Sequence, residues 1–157
     1  MKYSLIDKII GLEEGKNIIA VKNVSLAEEY LGDHFPLFPV LPGVFLLQGM
    51  VETASWLVRS SQDFSNSMVL LERARNVNYK SFAAPGMCVE YTADAKNIDE
   101  KSSSFTVSGR SGGEEIVKAK IDLRHFNLGD ENPAYCDTDT EMIAKLRLKL
   151  RLLTQNS

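Results

Sequence analysis

The stretch from His34 to Ser60, HFPLFPVLPGVFLLQGMVETASWLVRS, limits what the rest of the chain can fold into. It opens on one of only two histidines, passes prolines at 36, 39 and 42, and becomes a long apolar segment. Pro42 suits the first turn of a helix, where its missing N–H costs nothing and its fixed φ already fits. From Gly43 to Val58 only Gln48, Glu52, Thr53 and Ser55 are polar, so a helix from Pro42 to Arg59 is apolar nearly all round. Such a helix is buried in a core or spans a membrane. A span takes about 20 predominantly apolar residues, and this run is shorter and interrupted. The expectation is a buried core helix and no transmembrane segment.

Two features of the stretch point beyond packing. A histidine stands just ahead of the helix, and the apolar helix carries Gln48 and Glu52 one turn apart, on one face. The helix start also presents unpaired backbone N–H groups and the positive end of its dipole. A base, a set of oxyanion donors and a polar pair beside an apolar groove suit proton abstraction next to a carbonyl. The alternative is a loop histidine with a structural role and two polar residues meeting an equivalent helix at a dimer seam.

The remaining segments read in order as strands and turns. Ser4 to Leu12 and Asn17 to Val24 form a strand pair turning at Gly15, the second strand rich in β-branched residues. Ser25 to Glu28 reads as a Ser-x-x-Glu capping box starting a short helix that Gly32 closes. After the polar loop Ser60 to Ser67 come strands over Met68 to Tyr79, Met87 to Asn97, Ser103 to Arg110 and Glu115 to Leu123. Turns at Ala84-Pro85-Gly86, Asp99-Glu100-Lys101 and Ser111-Gly112-Gly113 separate them. One long helix followed by hairpin-linked strands is an α+β pattern, a helix packed on an antiparallel sheet.

The division expected is a domain over 1–126, then a linker and C-terminal segment over 127–157. In that segment Thr138 to Glu141 forms a second capping box before EMIAKLRLKLRLL. The alternation of Leu with basic residues over Lys145 to Leu152 has strand period, but the cap and the lack of β-branched residues after Ile143 favour a helix. It would dock on its own domain, or serve as a basic dock for an acidic carrier protein or a membrane surface.

A chain of 157 residues with a net charge of −3 is one domain's worth of sequence and gives no electrostatic footprint for nucleic acid. Cys88 and Cys136 show neither CxxC spacing nor a nearby histidine pair, so no metal, cofactor or redox centre is expected. Reduced thiols and the lack of a signal-peptide pattern read as cytoplasmic.

The motif HFPLFPVLPGVFLLQGM resembles HFPGHPVMPGVLIxEAM, the signature of the 3-hydroxyacyl-(acyl-carrier-protein) dehydratases of FabZ type and their FabA relatives. LEEGKNIIAVKNVS resembles the strand pair that precedes it, and VNYKSFAAPGMCVEY the family's VRFKRPVVPGDQLxx strand and turn. The likeness runs from about Leu5 to Leu123. It implies a hotdog fold, a long central helix wrapped by an antiparallel sheet, forming dimers. It also implies removal of water from a (3R)-3-hydroxyacyl thioester, as in fatty acid biosynthesis, to give the trans-2-enoyl thioester. The partners implied are an acyl carrier protein or acyl-CoA thioester and a second subunit, as a homodimer, an oligomer of dimers or a heteromer.

Carried over by position, the family's base falls on His34, whose unperturbed pKa near 6.5 suits proton transfer at neutral pH. The oxyanion donor falls on the N–H of Gly43. Phe35, Phe38, Val44 and Leu47 are the expected walls of an acyl tunnel. The family's acid, a Glu or Asp supplied by the other subunit, falls on Gln48. Many relatives carry Gln one turn further on, where this chain has Glu52, so the two residue types are exchanged. A glutamine donates a hydrogen bond but delivers no proton. The alternatives are therefore a weakened acyl-binding or partner subunit of a heteromeric dehydratase, or a hotdog thioesterase using Glu52. The family's N-terminal HRYPF segment has no counterpart here.

Overall fold

The computed structural model describes residues 4–155. Six strands, β1 (Lys8–Glu13), β2 (Asn17–Asn23), β3 (Met68–Tyr79), β4 (Cys88–Ile98), β5 (Ser102–Ser111) and β6 (Glu114–Phe126), form one antiparallel sheet ordered β1-β2-β4-β5-β6-β3. Helices α1 (Tyr30–Asp33), α2 (Gly43–Ser61) and α3 (Cys136–Thr154) complete it, with single 3-10 turns at Leu128–Asp130 and Pro133–Tyr135 ahead of α3. The sheet curls around α2 in the hotdog arrangement. Two hairpins are set by glycines in the left-handed region, Gly15 at φ +75° between β1 and β2, and Gly112 and Gly113 at +58° and +84° between β5 and β6. Two successive positive φ values give the turn whose twist matches the flanking strands.

Alternation along the strands builds the core. Ile18 and Ala20 of β2, Val89, Tyr91 and Ala93 of β4, Phe105 and Val107 of β5, and Val117, Ala119, Ile121 and Leu123 of β6 are buried facing α2. From α2 come Leu46, Met50, Ala54, Trp56, Leu57 and Val58. The helix's small hydroxyls are satisfied by its own backbone: Thr53 donates to the Gly49 carbonyl and Ser55 to that of Val51, both at 2.8 Å. Gly49 has a packing reason. A Cβ there would lie 2.6 Å from Cζ of the buried Tyr91, so the absent side chain is what lets that ring lie against the helix.

The strip of α2 that the sheet leaves uncovered divides in two. Its second half is roofed by α3, whose Ile143, Leu146 and Leu150 pack on the core and whose Leu153 is buried. Asp139 fastens α3 down. Its carboxylate accepts from the Leu128 N–H at 3.0 Å, the Gly129 N–H at 2.7 Å and the Ser67 hydroxyl. Arg147 adds a bond to the Asp63 carboxylate at 2.8 Å. The first half, around Val44 and Gln48, stays exposed. Beside it runs β3, one of the two outer strands of the sheet, with Leu70, Leu71 and Tyr79 exposed.

Three expectations need correction. The long helix begins at Gly43, not Pro42, and Pro42 instead supplies the carbonyl that accepts from Phe45 and Leu46 at 2.8 and 3.2 Å. Ser25 does not start a helix. Its hydroxyl accepts from the Ala27 N–H and its carbonyl from Glu28, a local turn, and α1 is a single later turn that contains Gly32. Finally, α3 starts at Cys136, two residues ahead of the Thr138 capping box, because the 3-10 turn at Pro133–Tyr135 already sets its direction. No helix among the described residues is long and apolar enough to cross a membrane.

Candidate functional site

His34 closes α1 through its backbone, its N–H donating to the Tyr30 carbonyl at 3.2 Å. The next residue, Phe35, sits at φ +50°, a region that bulky side chains rarely occupy and that concentrates at functional sites. That turn is closed by the Phe38 N–H on the Phe35 carbonyl at 2.7 Å, and it lays the Phe35 ring 4.4 Å from the His34 ring. The loop then returns to the body of the protein, where the Leu41 N–H meets the Ala83 carbonyl at 2.8 Å. Prolines on either side leave this loop few alternative paths.

His34 lines a cavity of about 130 Å³ with Val40, Leu41, Gly43, Leu46, Tyr79, Ser81 and Phe82. The side chain is partly buried and has no hydrogen-bond partner among the described residues, so its ring nitrogens are not committed to a structural bond. Gly43 brings the start of α2 to the same cavity. The N–H groups of Gly43 and Val44 precede the first donors of the helix ladder, the Phe45 and Leu46 N–H groups on the Pro42 carbonyl. The Tyr79 ring lies against this helix start, and a Cβ on residue 43 would stand 3.2 Å from its Cε1. Burial raises the Tyr79 phenol above its ordinary value, so it stays a neutral donor.

Of the four expected tunnel residues, none lines this cavity. Phe35, Phe38 and Val44 are exposed and Leu47 is half-buried against the core. Phe38 touches the rim indirectly, its ring edge-on to Phe82 with centroids 5.8 Å apart. The walls come instead from Leu46 and from Tyr79 and Phe82 at the end of β3, residues that periodicity reads as strand and loop. The VNYKSFAAPG segment is the signal in the sequence, since it resembles the strand and turn of the dehydratases.

Gln48 and Glu52 are not at the histidine. They line a separate cavity of about 290 Å³ between α2, β3 and α3, with Val51, Ser55, Trp56, Arg59, Val69, Leu70, Leu71, Leu146 and Lys149. Gln48 is exposed at its open end. The Glu52 carboxylate accepts from Lys149 at 2.9 Å. Within one chain, then, His34 lines one cavity and Gln48 and Glu52 another. Cys88 and Cys136 are free and exposed, and no group of His, Cys, Asp and Glu able to hold a metal occurs among the described residues.

Comparison with known proteins places this geometry. Residues 1–120 match the family model of the FabA-like domain. The FabZ 3-hydroxyacyl-(acyl-carrier-protein) dehydratase of Janthinobacterium sp. (strain Marseille) is 30% identical over 137 residues, covering 83% of this chain and 85% of that one. The FabZ enzyme of Aromatoleum aromaticum is 37% identical over 114 residues, covering 68% and 79%. Among solved structures, the dehydratase heterocomplex ApeI:P from Xenorhabdus doucetiae superposes with a TM-score of 0.68 at 18% identity, covering 85% of this chain and 90% of that one. The conserved protein PA5202 from Pseudomonas aeruginosa gives 0.60 at 18% identity, covering 76% and 87%.

Proposed function

The chain belongs to the FabA-like family, and from that premise we propose that it acts on 3-hydroxyacyl thioesters, carried by an acyl carrier protein or coenzyme A. The observation that carries the reading is the shared cavity of His34 and the Gly43 helix start, its other walls apolar apart from Ser81 and the Tyr79 phenol. In the proposed reaction His34 removes a proton from C2 of the thioester. The electron pair moves onto the thioester carbonyl, whose oxygen is met by the Gly43 N–H and the positive end of α2. The pair then returns to form the C2–C3 double bond as the C3–O bond breaks, and the hydroxyl leaves as water once protonated. Run backwards, the same steps hydrate a trans-2-enoyl thioester.

The departing hydroxyl needs a proton, and here Gln48 limits the chain. Its amide orients the hydroxyl but supplies no proton, so the proton comes from the His34 imidazolium or from a second subunit. The exposed half-strip of α2 at Val44 and Gln48, beside the open edge of β3, is the surface on which we place that subunit. Pairing β3 with a second β3 continues the sheet and turns Gln48 towards the partner's histidine cavity.

A second reading has its own support. The only carboxylate on α2 is tied to Lys149, and the neighbour from Xenorhabdus doucetiae is described as a heterocomplex. In that reading this chain contributes His34 and Gly43 to a mixed dimer whose other subunit contributes the acid. One assay separates the two: formation of the enoyl thioester from a 3-hydroxyacyl-carrier substrate by the purified chain alone. Slow turnover lost in His34→Ala supports a self-sufficient enzyme. Complete inactivity, restored by mixing with an acid-bearing dehydratase subunit, supports the heteromer. Inactivity in both settings refutes both.

A further inference from the structure

Two positions of the chain depart from the dehydratase motifs in ways that concern the same proton. Gln48 stands where those enzymes carry an acid, and Tyr79, in VNYK, stands where the matching segment VRFK has phenylalanine. The fold brings the added phenol to the histidine, since Tyr79 lines the cavity of His34 and Gly43. A bulge in β3 puts it there. Pairing with β6 passes from Arg75 opposite Lys120 to Asn78 opposite Lys118, one residue extra on β3, with Asn76 at φ +53°. Ala74 and Val77, three residues apart, therefore both pack against the core, and Tyr79, two beyond Val77, shares that inward side. Just past it the Lys80 and Ser81 N–H groups both meet the Ile116 carbonyl, at 2.8 and 3.3 Å, and fix the strand end. The Tyr79 ring lies along the start of α2, its Cε1 and Cζ 3.2 and 3.4 Å from where a Cβ on residue 43 would stand. Even so, Tyr79 is 46% exposed, and its hydroxyl has no hydrogen-bond partner among the described residues. That hydroxyl is open to a bound molecule.

We propose that Tyr79 hydrogen-bonds the 3-hydroxyl of the acyl thioester and supplies the proton with which it leaves as water. The assignment rests on the dehydration reading of the His34 cavity. His34 takes the C2 proton, and the electron pair of that bond becomes the C2–C3 double bond as the C3–O pair departs with the hydroxyl. The phenol O–H gives its proton to that oxygen, and the phenolate recovers a proton from the His34 imidazolium, so both side chains end as they began. Ser81 is the other hydroxyl on the cavity wall, but tyrosine rather than serine serves as a general acid. A phenol is a weaker acid than a carboxyl group, which accords with a slow enzyme that a carboxylate at position 48 would speed.

The test uses (3R)-3-hydroxyhexanoyl-CoA and hexanoyl-CoA with the full chain and with Tyr79→Phe. The variant keeps the ring and breaks no hydrogen bond within the described residues, so it keeps the fold. Wild type should bind the hydroxylated thioester roughly threefold to tenfold more tightly than hexanoyl-CoA, the scale of one neutral hydrogen bond. Tyr79→Phe should bind the two alike, with its affinity for hexanoyl-CoA unchanged. In an active chain it should also lower kcat for enoyl thioester formation by about 100-fold, a split that a packing role would not produce. Equal binding of the two thioesters by wild type overturns the proposal, as does an undiminished preference or an unchanged kcat in Tyr79→Phe. An inactive wild type, or turnover indifferent to His34→Ala, counts against the dehydration reading instead, and the binding preference alone then decides on Tyr79.

Discussion

Lys149 Nζ lies 2.9 Å from Glu52 Oε1, joining the last third of α3 to the middle of α2. That contact turns the single acidic residue of the central helix into a tie between helices, and it leaves Gln48, one turn earlier, as the polar side chain exposed at the open end of the strip. The arrangement separates a structural carboxylate from the position proposed to face a partner's histidine.

From that separation follows the outcome for Gln48→Glu. General acid assistance contributes roughly 10²–10⁴-fold, so restoring a carboxylate should raise the dehydration rate by a factor in that range over a slow wild type. The folding cost is small because residue 48 is exposed and the chain length is unchanged. His34→Ala should abolish turnover in both backgrounds. Should Glu52→Gln silence a fast wild type instead, the acid is Glu52 and the assignment shifts by one turn.

Gly49→Ala tests the packing of the central helix. Alanine favours a helix interior by about 1 kcal/mol over glycine, which on a free helix would stabilise. Here the new methyl meets the buried Tyr91 ring at 2.6 Å, and overpacking a tight core costs about 1–3 kcal/mol. Packing outweighs propensity, so urea unfolding should show a net loss of up to about 2 kcal/mol. A gain would mean that the ring moves aside freely.

The docking of α3 rests on Asp139. Three donors converge on its carboxylate, and although burial alone pushes the group up, the bonds from Ser67, Gly129 and Leu128 together hold it below the ordinary carboxylate value. Hydrogen bonds to charged groups contribute about 1.5–3 kcal/mol each, not additively. Asp139→Ala should therefore destabilise by about 2–4 kcal/mol and loosen α3 locally. Hydrogen exchange should quicken across Cys136–Thr154 while β4 to β6 keep their protection. Uniform loss of protection would show that α3 and the sheet open as one unit.

How much of this the sequence discloses depends on the range of the signal. Strand alternation, paired glycines at 112 and 113 and the proline before Gly43 are local, and they place α2 and β2 to β5 within a residue or two, while β1 starts at Lys8 rather than Ser4 and β6 runs on to Phe126 rather than Leu123. Ser25 and Thr138 mislead because a capping box describes a hydrogen bond, while a neighbouring turn decides where a helix starts. In the site, His34 and Gly43 are legible because only the eight residues FPLFPVLP, a stiff loop, separate them. Tyr79, Phe82 and Lys149 are not, since they reach the cavities through tertiary folding; Lys149 is 97 residues from Glu52.

The last expectation concerns acid. His125 is buried, its Nε2 2.7 Å from the Ser103 hydroxyl. Burial lowers its value below the ordinary 6.5, with further lowering from the charges of Arg59 and Lys101 and an opposing contribution from the Glu100 backbone. An unfolded chain therefore takes up this proton at a pH where the folded chain refuses it. Since stability rises with pH wherever the unfolded state binds more protons, the contribution is fully present above about 6.5 and is lost as pH falls through the folded value. The slope of unfolding free energy between pH 6.5 and 5 should be positive, at most about 1.4 kcal/mol per pH unit for one proton. Asp139, also depressed, adds its own loss only near pH 4 and below, outside this window. His125→Gln should lower stability at pH 7 yet flatten the curve between 6.5 and 5, measured by urea unfolding at each pH. An unchanged slope in that variant would mean that His125 is already protonated in the fold.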